Sequence, residues 1–82
     1  MQVELIDIVI NSIKDRARYK DNVLYTSNLT TDLGIDSLGM VELSLELEDR
    51  FDIEFHEDEI EGVHTVGAVI ASVEKKMAAS TK

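Results

Sequence analysis

Three stretches of the chain set apolar residues at steps of three and four, and no proline stands anywhere in the sequence. That spacing lines one face of an α-helix, whereas a half-buried strand needs alternation by two. In the first stretch the positions are Val3, Ile6, Val9, Ile10, Ile13 and Ala17. β-Branched residues are frequent there, but a helical period kept over more than ten residues outweighs strand propensity. The spacing predicts a helix over about Val3 to Arg18, with Lys14, Arg16 and Arg18 near its negative dipole end. In the second stretch Leu43, Leu47 and Phe51, with Val41 beside them, predict a buried stripe on a helix from about Ser37 to Phe51. In the third, Val66, Val69, Ile70, Val73 and Met77 predict a helix that Thr65 caps and that ends near Lys76 or Met77.

From Tyr19 to Asp36 the period dissolves, and Thr26, Ser27, Asn28, Asp32 and Gly34 mark a loop of some eighteen residues. A loop that long in a small domain points to function. Val23, Leu24, Leu29, Leu33 and Ile35 are expected to pin it to the core. Ile53 and Phe55 carry an extended connection to a short helix over Glu57 to Glu61, which is expected to bring Ile60 to the core. The expected fold is therefore all-α: a four-helix bundle of three main helices and a short third one, with a long loop between the first two. Residues 1–82 are read as one domain, with Ala78 to Lys82 a flexible tail.

Composition narrows the function. The 82 residues contain no cysteine, which excludes a disulfide staple or a cysteine metal site and permits a reducing, cytoplasmic compartment. No apolar run approaches a membrane span, and Met1-Gln2-Val3-Glu4 lacks the layout of a secretory signal. With 17 acidic and 8 basic side chains the net charge is −9, which opposes binding to nucleic acid or an anionic membrane and favours partners with basic surfaces. The acidity is local. Between Asp36 and Glu61 stand eleven carboxylates and one base, Arg50.

That run begins at a hydroxyl, Ser37, on the predicted start of the second helix. A nucleophilic serine needs a base in reach, and only His56 and His64 are available, both on or next to the short third helix. Surface or loop positions are the simpler reading for both. There is no nucleophile elbow, no phosphate-cradling glycine loop, and no carboxylate spacing of a calcium loop. No catalytic or metal-binding residue is expected, and the chain is read as other than an enzyme. One of Asp36 and Ser37 is expected to cap the helix.

The string "DLGIDSLGMVELSLELEDRFDIEF" (Asp32 to Phe55), followed by "HTVGAVIASV", resembles the acyl carrier proteins across the whole chain. The resemblance implies that Ser37 is the serine esterified with 4′-phosphopantetheine by a phosphopantetheinyl transferase. The thiol of that group would carry acyl chains as thioesters between acyl-loading and synthase enzymes of fatty acid or related lipid biosynthesis. It also implies that Asp36 serves transferase recognition, beside any role as a cap. Glu42, Glu48 and Asp49 match acidic positions that meet basic patches on partner enzymes. Leu38 and Met40 do not fit the core stripe and are expected as exposed apolar contacts beside Ser37. Small residues Gly67, Ala68 and Ala71, facing Leu43 and Leu47, are expected to leave a yielding apolar channel for the acyl chain. A monomeric carrier is expected. Gly39 and Met40 depart from fatty-acid carriers, as do Ser44 and His56, which leaves polyketide, modified-lipid or aminoacyl carriers as alternatives. A protein of another class, an unmodified acidic interaction module, is the further alternative.

Overall fold

A computed structural model describes residues 2–19 and 23–80, and the side chains from Glu4 to Ala78 within them. Expectations that fall on residues 1, 20–22, 81 and 82 and on the Val3 side chain lie outside that range. The described chain is all-helical: α1 (Gln2–Arg16), α2 (Ser37–Phe51), α3 (Glu57–Glu61) and α4 (Val66–Ser80).

α1 buries Leu5, Val9 and Ile13 at steps of four, with Ile6 and Ile10 half-buried at the edge of the stripe. The buried line thus runs through Leu5, one position away from the predicted Ile6. The helix stops two residues before Arg18, because the backbone amides change partner. Ala17 still donates to the Ile13 carbonyl (2.9 Å), but Arg18 and Tyr19 both donate to Leu33 (2.7 and 3.1 Å). Those two bonds tie the end of α1 to the segment that leads into α2.

The long loop is ordered by its own side chains. Asn28 Oδ1 accepts the Thr30 and Thr31 amides (both 2.9 Å), and Asp32 Oδ2 accepts the Asn28 amide (2.7 Å). These turns drive Leu29, Leu33 and Ile35 into the core, all at most 2% exposed. Val23 packs at its margin, while Leu24 is 59% exposed and pins nothing. The loop also caps α4: Ser27 and Tyr25 carbonyls accept the Val66 and Gly67 amides (3.1 and 2.9 Å), and Thr65 Oγ1 accepts Ala68 (3.2 Å). Three amides without intrahelical partners are thereby satisfied.

α4 contributes Val66, Val69, Ile70 and Val73 to the core. It runs on through Ser80, past the predicted end near Lys76 or Met77, so Ala78 to Ser80 are helical. α1 packs against both α2 and α4, and these two against each other. In a chain this small net stability is on the order of 5–12 kcal/mol, and truncating one of these core residues would remove about 2–5 kcal/mol of it. α3 is different, since none of its residues is fully buried. Ile60 stays half-buried, short of the core position expected for it.

Candidate functional site: the start and outer face of helix α2

Asp36, with an extended backbone (φ −88°, ψ −176°), is the cap of α2, and its Oδ1 accepts the Gly39 amide at 2.8 Å. Ser37 is therefore the first residue of the helix, exposed, with its hydroxyl not needed for capping. The first backbone bond of the helix runs from Met40 to Asp36 (2.9 Å), so the Ser37 and Leu38 amides precede any intrahelical acceptor. Two amides and the positive dipole end favour an anion here, by about 0.3–1 kcal/mol. The Asp36 carboxylate opposes a second anion, but it is occupied by the third amide. The approach to this end is fixed by Gly34 at φ +73°, where a Cβ would lie 2.9 Å from Arg18 Cβ and 3.0 Å from the Tyr19 ring.

The expected site residues separate into three groups. Glu42 and Asp49 are exposed, as docking would need. Glu48 is half-buried, and its Oε2 accepts the Phe55 amide at 2.7 Å, tying α2 to the segment before α3. Leu38 is 66% exposed, whereas Met40 is half-buried against the core. In place of Met40, the apolar partners of Leu38 are Val41 (48% exposed) and Leu45 (58%). Val41 is thus outside the buried stripe, where Ser44 takes its place with Oγ donating to the Val41 carbonyl at 2.7 Å. The spacing 38, 41, 45 was the available signal, since it marks a second helical face.

Behind Ser37 by one turn, Met40 opens a small cavity of about 30 Å³. α2 supplies Leu43, Ser44 and Leu47, and α4 supplies Val69 and Ser72. Phe55, Glu59, Ile60 and Val63 complete the lining, and the cavity is partly open to solvent. The surface it presents is apolar, because the Ser44 hydroxyl is spent on its own helix. The expected lining by Gly67, Ala68 and Ala71 is not what the structure shows. Gly67 lies against the Tyr25 carbonyl, and Ala71 is exposed.

His56 heads α3, where its amide donates to Glu59 Oε1 at 2.7 Å, and the His64 carbonyl accepts the Leu29 amide at 2.8 Å. Among the described residues neither histidine hydrogen-bonds to Ser37, and no three His, Asp or Glu side chains converge to hold a metal ion.

A helical bundle with a solvent-facing serine at a helix start is matched by the family model described as "Phosphopantetheine attachment site", over residues 7–73. That match defines the class of protein. Among curated relatives, the acyl carrier protein of Amoebophilus asiaticus is 41% identical over 92% of this chain and 90% of its own. That of Syntrophobacter fumaroxidans is 35% identical over 96% and 94%. The solved acyl carrier protein from Enterococcus faecalis superposes with a TM-score of 0.78 at 30% identity, covering 93% of this chain and 98% of that one. The chain belongs to the acyl carrier protein family. Its members are carriers and not enzymes, they hold 4′-phosphopantetheine covalently, and their usual role is to shuttle fatty acyl chains between enzymes.

Proposed function

We propose that Ser37 is the attachment point and that residues 1–82 work as one carrier unit. The observation that supports this most directly is the division of labour at the start of α2. Asp36 meets the capping requirement, which leaves the Ser37 hydroxyl exposed beside two amides that favour a phosphodiester. When attached, 4′-phosphopantetheine supplies the thiol that this cysteine-free chain lacks. Every other part is played by the chain's own residues. Asp36 fixes the helix start and stands next to Ser37 for a phosphopantetheinyl transferase to read. Leu38, Val41 and Leu45 give acyl-loading and synthase enzymes an apolar contact, flanked by Glu42 and Asp49 for their basic patches.

The apolar cavity behind Met40 is the place for cargo, and its lining favours a hydrocarbon chain over an oxygen-rich polyketide or an aminoacyl group. This makes fatty acyl transport the reading and specialised cargo the alternative. The carrier acts as a cytoplasmic monomer, since a permanent dimer across α2 would bar successive partners. No helix among the described residues is long and apolar enough to cross a membrane.

The test is intact mass after incubation with a broad-specificity phosphopantetheinyl transferase and coenzyme A. One phosphopantetheine is expected on the wild type and none on Ser37→Ala. Modification of the alanine variant, or a wild type that several transferases leave unmodified, would overturn the assignment.

A further inference from the structure

The cavity behind Met40 has room for one or two waters and none for an acyl chain of several carbons. If cargo enters, a wall must move. Leu43, Leu47 and Val69 are at most 4% exposed and belong to the core, so the α2 and α4 walls are fixed by packing. The outer wall is not, because Phe55, Ile60 and Val63 are half-buried and α3 buries nothing completely.

A side-chain ion pair ties that wall to α4. Lys76 Nζ donates to Glu59 Oε1 at 2.8 Å and sits 5.9 Å from the centroid of the Phe55 ring, within cation–π range. The two side chains are 24% and 38% exposed, so the pair is a partly solvated bridge of modest strength, to which the ring contact adds. The same Glu59 oxygen accepts the His56 amide, so one carboxylate both closes the first turn of α3 and anchors it to α4. The His56 amide and the Lys76 ammonium hold the Glu59 carboxyl below the ordinary glutamate range, which keeps the anchor charged.

We propose that Lys76, Glu59 and Phe55 form a clasp that holds the cavity's outer wall in place, and that this clasp sets the shortest acyl chain the carrier encloses. The inference rests on the cargo reading above. A short chain cannot repay the loss of an ion pair and a cation–π contact, and it stays in solvent. A longer chain gains enough apolar burial to push α3 outward, at about 0.8 kcal/mol per methylene buried. Lys76 stands on α4, 39 residues from Ser37 along the chain.

The clean variant is Lys76→Met, which removes the charge and keeps an aliphatic stem of similar length. In the protein without cargo, amide hydrogen exchange across residues 57–63 is expected to rise on the order of fivefold to tenfold, with α1 and α2 unchanged. Lys76→Arg should restore the wild-type rate. Unchanged exchange in Lys76→Met would show that there is no clasp. The second measurement loads acetyl, butyryl, hexanoyl and octanoyl groups on Ser37 and follows thioester cleavage by hydroxylamine. The shortest chain protected relative to acetyl is expected to be shorter in Lys76→Met, because the wall opens for shorter cargo. An unchanged or longer shortest chain overturns the length threshold. Equal cleavage of all the thioesters in both proteins, beside raised exchange, would sink the cargo reading and the threshold with it while leaving the tie itself in place. Failure to load at all would instead indict Ser37, and the exchange result would still stand.

Discussion

A Cβ built on Gly39 would lie 2.8 Å from Ile35 Cγ2 and 3.2 Å from the Asp36 carboxylate oxygen. Helix propensity alone favours alanine at this position by about 0.8–1.0 kcal/mol. Packing opposes it. Ile35 is 1% exposed and its amide is bonded to the Leu29 carbonyl at 2.9 Å, so it has little freedom to retreat, and overpacking costs about 1–3 kcal/mol. The balance predicts that Gly39→Ala destabilises the protein by about 1 kcal/mol and slows modification of Ser37 by disturbing the Asp36 cap. In an Ile35→Ala background the obstruction is gone, so the same substitution should become stabilising. Chemical denaturation of the four proteins measures this. Simple additivity would show that Ile35 and Gly39 are not a matched pair. The sequence alone marks Gly39 as a weak point in the first turn of α2. That it makes room for Ile35 depends on the loop packing beneath it, which no local pattern reports.

α1 and α2 are joined across their faces by Glu46, which accepts hydrogen bonds from Ser12 Oγ (3.2 Å), from Arg50 Nε one turn along (2.8 Å), and from Arg16. The cluster has a cost, because Arg16 Nε is buried with no acceptor among the described residues. Burial pushes the Glu46 carboxyl up, but the bonds from Arg50, Arg16 and Ser12 outweigh it and leave the group below its ordinary value. A folded value below the unfolded one means that protonation is harder in the folded protein. The stability this adds is complete above the ordinary glutamate range and is lost as pH falls through the folded value. Glu46→Gln is therefore expected to cost about 1 kcal/mol near neutral pH, and the gap to wild type should close on the acid side of that range. A gap that stays constant into acid would count against the ionised cluster. The elements themselves were legible from apolar spacing, and α2 and α3 begin and end where that spacing and the turn residues put them. The misreadings have tertiary causes. Arg18 leaves α1 because Leu33 offers its carbonyl, and Leu24 faces solvent because Ser27 turns the chain, its Oγ accepting the Leu24 amide at 2.9 Å. Val41 and Ser44 exchange places because α2 buries the side that meets α1 and α4. The start of α2, with its cap at Asp36 or Ser37, could be read directly, since a helix start is a local feature, while the attachment proposed at Ser37 came from the family resemblance. The cavity could not, since three elements build it.

Across the whole molecule the charge of −9 meets an apolar line at Leu38, Val41 and Leu45, and the two features do different work. In the proposed docking, long-range charge would raise the rate of encounter with a basic enzyme surface, while the apolar contacts would govern how long the pair stays together. The acidic residues of α2 are not equivalent in this. Glu42 and Asp49 are exposed and free to steer, whereas Glu48 is engaged by the Phe55 amide and holds the segment that leads into α3. Glu42→Gln with Asp49→Asn should lower kcat/KM for Ser37 modification by about three- to tenfold at low salt, through KM, and flatten its dependence on ionic strength. Thermal stability should be nearly unchanged. Glu48→Ala should do the reverse, lowering Tm through about 1 kcal/mol from the orphaned Phe55 amide while leaving most of the salt dependence in place. Leu45→Ala, one face along from Ser37, should weaken docking equally at all salt concentrations. If all these variants lost activity and salt dependence alike, the acidity of α2 would be a solvated surface with no address in it, and recognition would have to lie elsewhere on the carrier.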